Sequence, residues 1–132
     1  MSQENIEALR TAYEAFNRGD WEAAMRLAHP EFELQTPDRD VNPGTYRGAE
    51  AARRFLEELF EPFEEIVIEP EEFHDRGEQI AVFLLVRLRP AGSSAIVENR
   101  IGHLWTLRGG KIARLAVFPR REEALEAAGL SE

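Results

Sequence analysis

The chain contains no cysteine, which excludes a disulfide framework, a thiolate metal site and a cysteine nucleophile. That leaves the redox compartment open. Lysine is all but missing too, since Lys111 is the one lysine among 16 basic residues. This bias has no functional reading, because codon composition produces it as readily as ion pairing. Long apolar runs are absent: none approaches the ~20 residues of a membrane span, and the start, MSQENIEALR, has no basic segment followed by an apolar stretch. A cytoplasmic protein without signal or anchor is expected. Histidine is sparse, and its 3 copies fall in no HExxH or comparable spacing, so neither a metal nor another cofactor is expected. Positive charge is in deficit, giving a net charge of -9 that repels phosphate backbones and anionic headgroups. Nucleic acid and membrane surfaces are therefore not expected partners.

What is present suits one folded unit. The 132 residues are 43% hydrophobic and 31% charged, the size and balance of a single domain spanning 1–132 around one core. Ile6, Leu9, Tyr13 and Phe16 recur at spacings of three and four, which predicts a first helix with Ser2 as its N-cap and Gly19 as its end. Asp20 then caps a second helix whose face is Trp21, Ala24, Leu27 and Ala28, stopped by His29-Pro30. His29 reads as a favourable charge at that helix end.

From Glu31 to Thr36 the pattern changes to period two, with Phe32, Leu34 and Thr36 on one side, so a short strand turns Thr36 inward. Pro37 to Arg47 has no period and two prolines, and reads as a loop able to cover a site. Ala52, Phe55, Leu56, Leu59 and Phe60 mark a third helix between Gly48 and Pro62. Strands are expected near Phe63 to His74 with an interruption around Pro70, then Gln79 to Arg89, Ala95 to Leu107 and Lys111 to Phe118. The last two form a hairpin at Gly109-Gly110, and a terminal helix follows, opening with a solvated Arg120 to Glu123 and stopping at Gly129. The stretch Ile80 to Val86 is apolar on both faces. Helices cover one side, and the other predicts a homodimer through the outer sheet face.

The order helix, helix, strand, long loop, helix, four antiparallel strands resembles the nuclear-transport-factor-2-like superfamily, in particular its SnoaL-like branch. The residues carrying the resemblance are Tyr13-Glu-Ala-Phe-Asn-Arg-Gly-Asp-Trp-Glu-Ala-Ala24, Tyr46-Arg-Gly-Ala-Glu-Ala-Ala-Arg-Arg-Phe55, and His103 to Gly129. The resemblance implies an α+β cone: a curved antiparallel sheet wrapped around three helices from the N-terminal half, an apolar pocket inside, and a short C-terminal helix. It also implies frequent dimerisation. This cone hosts isomerases, epoxide hydrolases, cyclases and structural modules, so it assigns no reaction.

In the superfamily's ketosteroid isomerases a first-helix tyrosine and a late-strand aspartic acid bind an oxyanion, and a second aspartate is the base. Tyr13 matches the tyrosine, but the base falls at Thr36 and the second donor at Gly102, neither of which does that chemistry. The acids of limonene-epoxide-hydrolase relatives are likewise replaced, by Ala81, Phe83, Leu85, Leu115 and Val117.

Alternation in the strand 95–107 gives two sets, one with Glu98, Arg100, Gly102 and Leu104, the other with Asn99, Ile101, His103 and Trp105. Apolar counting turns the second set inward, whereas the family alignment turns the first toward the cone. On the latter reading Glu98 and Arg100 are the catalytic candidates, an apolar cavity raising the carboxylate's pKa beside a guanidinium, with Tyr13 orienting a ligand carbonyl. The competing reading of Glu98 and Arg100 is a rim ion pair joined by Arg87, and His103 beside Trp105 reads as a packed, hydrogen-bonded residue or a proton shuttle.

A pocket is then expected between Tyr13, Phe16 and Trp21 of the first helices, Leu34 and Thr36 of the first strand, and Tyr46 and Phe55 around the third helix. Its sheet wall would be Phe83, Leu85, Gly102, Leu104, Leu115 and Val117. The functional expectation is a protein binding a small apolar or aromatic ligand in this pocket, as an isomerase, cyclase or hydrolase. The alternative is a non-enzymatic dimeric interaction module or ligand carrier.

Overall fold

A computed structural model describes residues 2–36 and 44–130. The chain runs α1 (Ser2–Asn17), α2 (Trp21–Ala24), β1 (Ala28–Thr36), β2 (Gly44–Arg47), α3 (Ala49–Phe60), β3 (Phe63–Arg76), β4 (Gln79–Pro90), β5 (Val97–Arg108), β6 (Lys111–Phe118) and α4 (Arg121–Leu130). The six strands form one curved sheet in the order β2-β1-β6-β5-β4-β3. All neighbours are antiparallel except β1 and β6, which run parallel, so the sheet is mixed.

Several boundaries depart from expectation for identifiable reasons. The second helix is one turn long, capped by the Asp20 side chain accepting from the Ala23 N–H at 3.1 Å. Leu27 and Ala28 leave it because β6 recruits them: Ile112 N–H donates to the Leu27 carbonyl at 2.8 Å and Ala28 pairs with Ile112. His29 is thus a strand residue whose Nδ1 accepts from the Glu31 N–H at 3.0 Å, not a charge at a helix end. Ser2 lies within α1 rather than before it, and Gly129 lies within α4 rather than ending it.

Of the expected loop at 37–47, residues 37–43 lie outside those described, and Gly44–Arg47 form a strand against Glu33 to Thr36. Tyr46 earns that strand its place by stacking on Phe55 with centroids 4.4 Å apart. β3 continues through Pro70 with a bulge before Glu72, which a sheet-edge strand tolerates because its outer N–H groups have no ladder partner to lose. The β5–β6 hairpin closes through Gly109 and Gly110, both at positive φ of 58° and 78°, the signature of a two-residue type I′ turn.

The two faces of the sheet are packed differently. On the concave face, Ile80, Val82, Leu84 and Val86 of β4 join Leu9, Phe32, Leu34, Trp105, Leu107 and Ile112 in the main core. Asn17, the last residue of α1, fixes that helix over the sheet: its Nδ2 donates to the Ile68 carbonyl and its Oδ1 accepts the Ile68 N–H, both at 2.9 Å. On the convex face, Ala81, Leu104 and Ala116 pack against Ala124 and Ala128 of α4.

The β4 residues expected to need a second copy are therefore covered within the chain. Ala81 is fully buried, and Phe83 lies under the Arg121 guanidinium, 4.8 Å from its ring centroid. Arg121, expected on a solvated helix side, also donates to Glu71 at 2.8 Å. The apolar patterning of β4 no longer requires a dimer. Among the described residues, no helix is long and apolar enough to cross a membrane.

Candidate functional site

Between the concave face and the helices lies a cavity of about 220 Å³. α1 contributes Ala12, Tyr13 and Phe16, and the turn of α2 contributes Trp21, Ala24 and Met25. α3 closes one side with Ala52, Leu56, Leu59 and Phe60, a spacing of three and four that presents one helical stripe. The sheet supplies Phe32, Leu34, Ile68, Val86, Leu115 and Val117, and from β5 Asn99, Ile101, His103 and Trp105. Leu59 is half exposed, so it stands at the mouth.

Of the residues expected to line a pocket, Tyr13, Phe16, Trp21, Leu34, Leu115 and Val117 face this cavity. Thr36, Tyr46 and Phe55 do not reach it. Thr36 Oγ1 instead accepts from the Gly44 N–H at 3.0 Å, tying β1 to β2, and the Tyr46–Phe55 stack fills the neighbouring corner. Phe83, Leu85, Gly102 and Leu104 point away, on the α4 side of the sheet. Gly102 leaves no room for a ligand there, since a Cβ on it would sit 2.8 Å from Ala124 Cβ. β5 therefore turns Asn99, Ile101, His103 and Trp105 toward the cavity and Glu98, Arg100, Gly102 and Leu104 to the opposite face.

The same alternation removes Glu98 and Arg100 from the cavity. Glu98 accepts from Arg87 Nε at 3.0 Å, and Arg87 Nη1 donates to Glu69 at 2.7 Å. Arg100 lies 3.6 Å from Glu71. Each is at least half exposed, in a ladder of opposite charges across β3, β4 and β5. No apolar enclosure surrounds Glu98 to tune it as an acid.

The polar chemistry of the cavity is concentrated where three rings meet. Trp105 Nε1 donates to the Tyr13 hydroxyl at 2.8 Å, and that hydroxyl lies 2.8 Å from His103 Nδ1. The Tyr13 and His103 rings are stacked, with an interplanar angle of 17°, while Trp105 meets Tyr13 edge-on at 86°. Burial holds the imidazole in its neutral form, its pKa pushed down to about 3, and pushes the Tyr13 phenol well above its ordinary value against a smaller opposing effect of the Trp105 hydrogen bond.

Both groups are uncharged at neutral pH. Among the described lining residues there is no carboxylate, lysine or arginine, and no cluster of three or more His, Asp or Glu able to hold a metal occurs among the described residues. His103 and Trp105 were absent from the expected pocket, although their alternation with Ile101 and Leu107 carried the signal.

Residues 9–115 match the SnoaL-like domain family. Among curated proteins, an uncharacterized protein of Mycobacterium tuberculosis and one of Mycobacterium bovis are each 26% identical over 117 residues, covering 86% of this chain and 87% of their own. Among solved structures, TerC co-crystallized with polyporic acid superposes with a TM-score of 0.79 at 24% identity, covering 96% of this chain and 98% of that one. A Jannaschia protein named a putative SnoaL-like polyketide cyclase superposes with a TM-score of 0.74 at 19% identity, over 89% of this chain and 85% of that one. At these identities the structures share the fold.

Proposed function

The chain belongs to the SnoaL-like domain family, and from that premise we propose that it binds a small, neutral, apolar or aromatic molecule in the cavity. The observation that carries this reading is the character of the cavity wall: some twenty side chains, almost all apolar, around a single buried polar trio. Apolar walls of this extent reward transfer of apolar surface from water at roughly 25 cal/mol per Å². A charged ligand would meet no counter-charge on them and would lose its hydration. That TerC, which shares the fold, was crystallized with polyporic acid is consistent with a ligand in such a cone.

Within this reading, carriage or sequestration is favoured over acid–base isomerisation, cyclisation or hydrolysis. The reason is specific: the described cavity wall holds no carboxylate, and its one imidazole is held neutral far below the pKa near 7 that suits a general acid or base. The interaction-module alternative is weakened by the convex face, which is occupied by α4 and by exposed ion pairs rather than by an open apolar surface.

Calorimetric titration with naphthalene tests the proposal. Saturable one-to-one binding is expected, together with its loss in Ala52→Phe, which fills the cavity from α3 while circular dichroism shows the fold retained. Equal binding by both proteins would reject the cavity as the site.

A further inference from the structure

The trio of Trp105, Tyr13 and His103 can be counted hydrogen by hydrogen. An indole supplies one N–H and accepts nothing, a phenol supplies one O–H, and a neutral imidazole supplies one N–H. Three polar hydrogens are therefore present, and the two contacts between the rings, each at 2.8 Å, use two of them. One hydrogen is left over, whichever way the imidazole is protonated.

Its position follows from the direction of the chain. Trp105 can only donate, so the Tyr13 oxygen accepts. If Tyr13 then donates to His103 Nδ1, the surplus hydrogen sits on Nε2 and every other group is paired. If instead Nδ1 carried the hydrogen, both the Tyr13 O–H and the Nε2 lone pair would be left unpaired. In a buried apolar setting each such loss costs about 1–3 kcal/mol. The first arrangement is favoured. Among the described residues nothing pairs with Nε2, and His103 belongs to the cavity wall.

Resting on the reading that the cavity takes a small apolar molecule, we infer that the Nε2–H of His103 is the anchoring donor for a neutral carbonyl oxygen of that molecule, with Tyr13 and Trp105 fixing its tautomer. The ligand class is thereby narrowed from hydrocarbon to ketone, quinone, aldehyde or ester on an apolar or aromatic body. A carboxylate is disfavoured, because the donor is uncharged and the described wall adds, beyond the trio, only the Asn99 carboxamide and no cation. The positioning roles are distinct: Trp105 sets the direction of the chain, and Tyr13 transmits it.

The test compares two bicyclic probes of one skeleton, 1-indanone and indane, with indane-1-carboxylate as a third. Calorimetry on the wild type and on His103→Phe gives a thermodynamic cycle in which the differing hydrophobicity of the probes cancels. The ratio of indanone to indane affinity is expected to fall about tenfold in the variant, the worth of one hydrogen bond plus the donor otherwise left bare. In the wild type, nitrogen-15 NMR of the imidazoles is expected to show His103 protonated at Nε2, with that proton moving downfield on adding indanone and not indane. This measurement decides the matter alone if the variant does not fold.

An unchanged ratio with a static Nε2–H signal, or carboxylate binding as tight as indanone, would overturn the anchor while leaving the cavity reading intact. Failure of both indane and indanone to bind the folded wild type would instead remove the cavity reading, and the anchor with it.

Discussion

The concave and convex faces of the sheet are built from alternate residues of the same strands, yet one encloses space and the other excludes it. On the convex face, Gly102, Ala81 and Ala116 meet Ala124 and Ala128, small against small, so that α4 lies in direct contact with the sheet. On the concave face, large rings and branched chains stand off the helices and leave about 220 Å³ between them. The difference teaches that residue size decides contact or cavity more than hydrophobicity does: alanines and a glycine seal, whereas Phe16, Trp21, Phe32 and Phe60 form walls. Polar groups divide in the same way. Charges on the convex side are exposed and paired with each other, and the concave side carries neutral groups joined by hydrogen bonds.

The sharpest way to break this comparison is to give the sealed face bulk. Gly102→Leu drives a side chain into a space where even a Cβ is 2.8 Å from Ala124 and 3.1 Å from the Arg121 backbone. It is expected to cost about 3 kcal/mol or more in urea denaturation, while binding of an apolar probe on the other face survives wherever the protein remains folded. On the enclosing face, Tyr13→Phe keeps the ring and removes the hydroxyl that serves both neighbours. Because a buried donor and acceptor lose their partner, a loss of about 2 kcal/mol is expected by the same measurement, well above that of an exposed substitution.

The neutral imidazole also makes the enclosing face sensitive to acid. The His103 pKa falls from 6.5 to about 3 on burial, so below pH 6.5 the unfolded chain binds a proton that the folded chain refuses. The stabilisation is complete well above pH 6.5 and is lost as the pH falls toward 3, with a slope that approaches about 1.4 kcal/mol per pH unit a unit or so below 6.5. Denaturation midpoints between pH 6.5 and 5 are expected to show this slope in the wild type and to lack it in His103→Phe. The smallest effect is expected on the charged ladder. Glu98→Gln removes one half-exposed partner of Arg87, and should change stability by about 0.5 kcal/mol or less and probe affinity not at all.

Much of the fold was legible because it rests on local pattern. The 3–4 spacing of Leu9, Tyr13 and Phe16, the Gly109-Gly110 turn and the period-two runs of β4 to β6 each specify their element within a few residues. What was not legible depends on distant partners. Leu27 and Ala28 look helical until β6 pairs with them, and Gly44–Arg47 look irregular until β1 does. The site was half legible for a related reason. Helix stripes named Tyr13, Phe16 and Trp21, and on β5 the apolar alternation of Ile101, His103, Trp105 and Leu107 marks the inward set, while α4 docks against Gly102 on the other side. The Tyr13–His103 contact spans ninety positions of sequence, and nothing at either end announces the other.

The parallel pairing of β1 with β6 has a consequence for how the protein comes into being. It joins the segment beginning at Ala28 to one reaching Ala116, so the first strand, although it can pair early with β2, cannot join the rest of the sheet until nearly the whole chain has left the ribosome. Through that interval the rings of α1 and α2 can meet only the part of the sheet made by β3 to β5, and the wall that Leu115 and Val117 of β6 complete is missing. Truncation before Lys111 should therefore abolish soluble expression altogether, because the last-made strand completes the wall that the first-made helices need.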